Sequence, residues 1–251
     1  MSGRNCGIKR SLDQLAYGQQ ELVELAALMD GTKPVMRVER PPHVVPDMVK
    51  QLAYYGLIVV DAPFHVTLRY RHALGDDFVA VRPGTANGNA RGVYYIARQQ
   101  RSDDAIKLAD LEQRDAASPE VGLRLGYPPC CVAAYLEIAR GRDWIVAMLD
   151  RTPHDQPGFV SCNRLARLFG EWAILPDYYP CSFVCTASAS WAVDIVRSAR
   201  AAGLGDYVEA ALEMLRCPLR LDRESILQLS VPPRIVAYSN PLSEARVLWW
   251  M

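Results

Sequence analysis

The chain has no excess of charge of either sign: Lys plus Arg and Asp plus Glu number 28 each, a formal net charge of zero. A balanced chain without a basic stripe lacks the electrostatic footprint of a nucleic-acid or anionic-membrane binder, so neither is expected as a partner. No uninterrupted apolar run approaches the roughly 18 residues of a membrane-spanning helix. The opening segment Met1–Arg10 is basic and polar and lacks the apolar core of a secretion signal, so a cytoplasmic location is expected. Histidine is scarce. His43, His65, His72 and His154 are scattered, with no H-x-x-x-H pair and no Cys-His spacing of metal type, and read as ordinary surface or core residues. There is no G-x-S-x-G nucleophile elbow and no H-E-x-x-H, which removes common hydrolase and metalloprotease readings. The Gly84–Gly92 stretch is glycine-rich but lacks the Gly-Lys-Ser/Thr of a phosphate loop and precedes strand-like sequence, so it reads as a turn.

What remains is an ordinary globular composition, 50% hydrophobic and 22% charged over 251 residues, enough to bury a substantial core without staples. The chain divides by pattern into an N-terminal helix and sheet region, residues 1–101, and a helical region with closing strands, residues 102–251; a single compact domain is the alternative. Seven cysteines is an odd number, and without a secretion signal they are read as reduced thiols, some held by metal, and not as a disulfide framework.

The fold class expected is α+β. Ser11-Leu12-Asp13-Gln14 opens a helix with Leu12, Leu15, Ala16, Leu22, Leu25, Ala26 and Met29 on one face and Gly31 as its stop. A short helix follows from about Asp47 to Gly56. Leu57–Val60, Phe64–Tyr70, Phe78–Val81 and Val93–Ile96 read as strands of a small antiparallel sheet over residues 57–98, with Gly84–Asn89 as a hairpin loop. A helix over 103–116 and another opened by Ser118-Pro119-Glu120 begin a helical middle that runs to about Leu215, with loops near 152–158 and 175–180. Arg234–Tyr238 and Arg246–Trp250 read as two closing strands around the Ser239-Asn240-Pro241 turn.

Chemistry concentrates in two proline-cysteine segments. Gly126-Tyr127-Pro128-Pro129-Cys130-Cys131 leads into a helix, and Pro180-Cys181-Ser182-Phe183-Val184-Cys185 leads into another. A helix N-terminus favours negative charge and thereby the thiolate, the reactive and metal-binding form of cysteine. If Cys181 and Cys185 both lie in the first turns of their helix, the i, i+4 spacing puts them on one face. Adjacent Cys130 and Cys131 diverge by about 100° if both are helical, which favours three converging ligands over four. The spacing is neither that of a zinc ribbon nor that of a ferredoxin. Cys6, Cys162 and Cys217 lack a cysteine neighbour at ligand spacing and read as small core residues.

These two segments resemble an uncharacterised prokaryotic protein family with G-Y-P-x-C-C and P-C-S-x-x-C motifs, over roughly residues 103–200. Members of that family often carry a histidine just before the second motif, where this chain has Tyr178 and Tyr179. The resemblance implies that the two motifs act together and supplies no reaction.

Cys130, Cys131, Cys181 and Cys185 are therefore the candidate metal ligands, of an iron–sulfur cluster, 4Fe–4S first, that leaves one iron open to a small-molecule substrate in a lyase or transferase. The alternatives are a structural zinc site closed by four thiolates, and a metal-free thiol enzyme. The hydroxyl-rich run Cys185–Ser190, with Thr186 and Ser188, is a candidate wall for an anionic substrate group; close helix packing explains the same small residues equally well, and Ser182 is a further substrate-binding candidate. Arg124 and Asn163 are further substrate-orienting candidates. A monomer or small homo-oligomer is expected.

Overall fold

The computed structural model describes residues 19–72, 75–81, 90–116, 118–138, 151, 180–182, 185–215, 219–221, 225–228, 234–237 and 246–248. It is an α+β molecule. Helix α1 (Gln19–Asp30) is followed by strand β1 (Val35–Arg40), a 3₁₀ turn at Pro42–Val44, helix α2 (Val45–Tyr54), and strands β2 (Leu57–His72), β3 (Gly75–Val81) and β4 (Arg91–Arg98). Helices α3 (Ser102–Arg114), α4 (Pro119–Arg124), α5 (Pro129–Ile138), α6 (Thr186–Ala201) and α7 (Gly205–Leu215) come next. Four short strands close the described chain: β5 (Leu219–Leu221), β6 (Ser225–Gln228), β7 (Arg234–Ala237) and β8 (Arg246–Leu248).

The first sheet is antiparallel throughout, in the order β1-β4-β2-β3. Three expectations change here. β1 was not anticipated, because Arg37, Glu39 and Arg40 interrupt its apolar pattern; Arg37 is paired with Glu39 at 2.7 Å and with Glu112 of α3 at 2.9 Å. The segments 57–60 and 64–70 form one sixteen-residue strand, β2, whose register against β4 shifts between Asp61 and His65. The connection from β3 to β4 is not a hairpin, since β2 lies between those strands; residues 84–89 themselves fall outside the described residues.

β4 explains how the sheet is used. Its residues Gly92–Ala97 are buried without interruption, the mark of a central strand covered on both faces. With period two, Tyr94 and Ile96 join a core built with Met36, Val38 and Leu57 from neighbouring strands, Leu25 and Leu28 of α1, and Ala192, Ile195 and Ala199 of α6. Val93, Tyr95 and Ala97 join a second core with Phe64 and Val66 of β2, Ala105 and Leu108 of α3, Val121 of α4 and Leu125 at its C-cap. Leu25 and Leu28 are fully buried, worth about 1.5–3 kcal/mol each. In the second core the buried Tyr95 hydroxyl donates to Glu112, which also accepts from Arg37. Burial, then Glu112, push the Tyr95 hydroxyl well above its usual range.

α1 carries the expected apolar face through Leu22, Leu25 and Ala26 and stops at Gly31, whose φ is +93°. A Cβ there would sit 2.6 Å from the tip of the Arg98 side chain, which can move aside, so it is the left-handed backbone that favours glycine. The expected helix start at residues 11–14 lies outside the described residues, as do Cys6, Cys162 and Cys217.

Near the C-terminus the two expected strands are present as β7 and β8, but they are not neighbours. The second sheet has the order β7-β6-β5-β8, with the three-residue β5 and four-residue β6 between them. Strands so short carry too little alternation to be read from sequence.

Candidate metal centre

The approach to the first cysteine pair is fixed by backbone geometry. Gly126 has φ +87°, and a Cβ on it would lie 2.6 Å from Cδ of Pro34, so the chain turns here only as glycine, pressed against the segment that follows α1. Pro129 then opens α5, with the N–H of Cys131 and of Val132 both donating to the Pro128 carbonyl at 2.9 and 3.0 Å. Cys130 and Cys131 thus occupy the first turn of α5, as expected, with Cys130 exposed and Cys131 2% exposed.

The second pair departs from expectation. Cys181 and Cys185 do not share a helical turn: α6 begins only at Thr186, and Cys185 is its N-cap, with Sγ accepting the Ser188 N–H at 3.4 Å. A capping side chain requires an extended backbone, and Cys185 has φ −64°, ψ 108°. Cys181 precedes the helix, and its N–H donates to Cys131 Sγ at 3.3 Å, joining the two segments across fifty positions of sequence. Ser118, expected to cap α4, occupies the N-cap position but makes no side-chain cap bond.

Despite this, all four thiols converge. The sulfurs of Cys130, Cys131, Cys181 and Cys185 lie within 4.8 Å of one another. Cys130 Sγ is 3.9 Å from Cys131 Sγ and 3.7 Å from Cys185 Sγ, and Cys131 and Cys185 are 3.6 Å apart. The expected divergence of the adjacent cysteines does not separate their sulfurs. Two freely rotating Cα–Cβ bonds bring neighbouring sulfurs together even where the Cα vectors spread. The four cysteines can therefore hold a metal ion; among the described residues no histidine or carboxylate belongs to the group.

Ionisation within the cluster is uneven. Thiol donation from Cys131, with smaller contributions from Cys185, Cys130 and Ser182, holds Cys181 down at about 5. Cys131 is pushed far up, first by its hydrogen bond to Cys181 and then by burial. Cys185 is raised to about 11, chiefly by burial, which outweighs its position at a helix N-terminus and the Ser188 N–H. Without metal, one thiolate at Cys181 is thus supported by neighbouring S–H groups.

The other candidate residues are dispersed. Ser182 is buried and hydrogen-bonds Cys181. Ser188 is fully buried, and its backbone N–H donates to Cys185 Sγ. Thr186 is exposed. Arg124 is occupied by Asp104 at 3.0 Å and Glu120 at 2.6 Å. Asn163 lies outside the described residues.

Sequence reasoning missed Lys33. Its side chain is 1% exposed, pairs with Glu24 of α1 at 3.0 Å, and has its ammonium 5.0 Å from the ring centroid of Tyr127 and 5.4 Å from that of Trp191. The two rings meet edge-on at 5.7 Å. Tyr127 leads into Cys130-Cys131, and Trp191 follows Cys185 on α6, so one buried cation holds the flanks of both cysteine segments. No spacing rule marks a lone lysine before a proline, so the sequence carried no signal for it.

No helix among the described residues is long and apolar enough to cross a membrane. No protein-family model matches the chain, and no curated protein or solved structure matches it.

Proposed function

We propose that this protein is a metalloprotein whose four thiolates, Cys130, Cys131, Cys181 and Cys185, bind a single divalent ion, zinc first, and fasten α5 to α6. The observation that carries the reading is the sulfur spacing. Zinc–thiolate bonds of about 2.3 Å at tetrahedral angles separate the sulfurs by about 3.8 Å; the Cys130, Cys131 and Cys185 sulfurs stand 3.6, 3.7 and 3.9 Å apart, and Cys181 joins them within 4.8 Å. In a four-iron cluster each thiolate binds its own iron, at corners that point away from one another, which calls for wider spacing. The iron–sulfur enzyme is therefore the second reading. It is favoured by the exposure of Cys130, which leaves one side of the cluster open to a small molecule. The paired motifs, and the family they resemble, fit either centre, because both need the two segments to act as one unit.

Anaerobic purification with metal and acid-labile sulfide analysis separates the readings. One equivalent of zinc or another divalent ion without sulfide supports the tetrathiolate site. Brown protein with iron and equimolar sulfide supports the cluster enzyme, and metal-free protein with titratable thiols removes both.

A further inference from the structure

The four sulfurs differ in protection. Cys131 and Cys185 are buried, and each accepts a backbone N–H, from Cys181 at 3.3 Å and from Ser188 at 3.4 Å. Hydrogen bonds to a charged sulfur engage its lone pairs and blunt its attack on electrophiles. Cys181 is half-buried and held by the Ser182 hydroxyl. Cys130 is exposed, and among the described residues no backbone N–H is directed at its sulfur, which meets only other cysteine sulfurs. When an ion holds all four sulfurs as thiolates, the least shielded of them is also the one solvent reaches.

We propose that Cys130 is an oxidation site for peroxides, and that Cys185 resolves the product as a disulfide that opens the metal centre. In the first step the Cys130 sulfur attacks one peroxide oxygen: an S–O bond forms, the O–O bond breaks, and the second oxygen leaves with the bonding pair as hydroxide or alkoxide. The Cys185 sulfur then attacks Cys130: the S–S bond forms, the S–O bond breaks, and hydroxide leaves. The two thiolates together lose two electrons and the peroxide gains them, so no other reactant is needed. Two of four ligands are thereby withdrawn from the ion.

Geometry selects the resolving thiol. Cys131 is near, at 3.9 Å, but adjacent Cα atoms are about 3.8 Å apart across a trans peptide, below the roughly 4.4 Å lower end of disulfide spans. On the other segment, free of that restriction, Cys185 stands 3.7 Å away and Cys181 lies within 4.8 Å, so the direct sulfur contact of Cys185 makes it the resolving thiol.

Loss of the ion rests on the tetrathiolate reading, whereas the disulfide step needs only the sulfur geometry and the exposure of Cys130, which make it the first sulfur that peroxide meets even where Cys181 carries the thiolate. The test therefore has two arms: zinc-loaded full-length protein and reduced, metal-free protein, each treated with stoichiometric hydrogen peroxide. Zinc release is followed with a chromogenic chelator, and cross-links are mapped in peptides without reductant. The expected result is a Cys130–Cys185 cross-link in both arms, forming in step with zinc release in the first. In the metal-free arm Cys130→Ser should abolish that cross-link and slow the reaction with peroxide by about tenfold or more. Cys130 left unmodified while other cysteines oxidise, or joined to any other partner, overturns the proposal. Failure to load zinc at all removes the tetrathiolate reading, and the metal-free arm still decides the disulfide.

Discussion

At the scale of single residues, the centre depends on side chains that have no substitute nearby. Because no histidine or carboxylate joins the group among the described residues, Cys131→Ser, Cys181→Ser and Cys185→Ser should each reduce metal per chain in elemental analysis. Cys6→Ser and Cys217→Ser should leave it unchanged, and equal metal across the five variants would remove the cluster. Proton accounting gives a second expectation. Cys131 and Cys185 are both held above the usual thiol range, so each must lose a proton when it becomes a ligand. Metal affinity should therefore rise with pH from neutrality towards about 11, the Cys185 value, and fall in acid. Competition titrations with a chelator at several pH values would check this, and a flat profile would contradict it. Lys33 is a different kind of dependence. Removing one partner of a buried ion pair strands the other, at a cost of about 3–5 kcal/mol, whereas replacing both with apolar groups is often neutral. Lys33→Met should lower stability to denaturant by that order, and Lys33→Met with Glu24→Leu should recover most of it. An equal loss in the double variant would show that the Tyr127 and Trp191 contacts, not the broken pair with Glu24, carry the effect.

At the scale of elements, the cysteine segments are placed by two devices, only one of which the sequence displayed. The proline-cysteine helix start at α5 was legible because proline at the first helical position has a local cause. The second start was misplaced by one turn. Cysteine is not a usual N-cap, and only the structure reveals that Cys185 Sγ accepts the Ser188 N–H and so delays α6. Strands β2, β3 and β4 were legible from alternation and β-branched residues. β1 was hidden, because Arg37 is paired with Glu112, seventy-five positions away, and Arg40 with Glu21 of α1, and a distant partner leaves no local trace. The convergence of four sulfurs was half legible: the residues could be named, but their separation depends on a backbone fold that sequence spacing does not report. Gly126 offers a direct test at this scale. Its positive φ and the 2.6 Å approach to Pro34 mean that Gly126→Ala should cost more than about 1 kcal/mol. It should also weaken metal retention, because the Tyr127-to-Cys131 approach is displaced; unchanged denaturation and metal content would contradict this placing.

At the scale of the whole molecule, the first sheet is a divider with a helical layer on each face, and the thiol cluster belongs to one of them. Cys131 and Cys185 sit in the same core as α1, α6 and one face of β1, β2 and β4. An ion bound by residues from both motifs would therefore tie together chain segments about fifty residues apart, and a ligand that binds only the folded state stabilises it by mass action. Chelation should lower the melting temperature, and Cys181→Ser protein should be insensitive to chelator. The central claim is that the four thiolates surround one ion, and X-ray absorption at the edge of the bound metal reads that arrangement most directly. The account predicts a single shell of four sulfurs at about 2.3 Å with no metal–metal scattering. Metal–metal scattering, or a shell with fewer than four sulfurs, would contradict it.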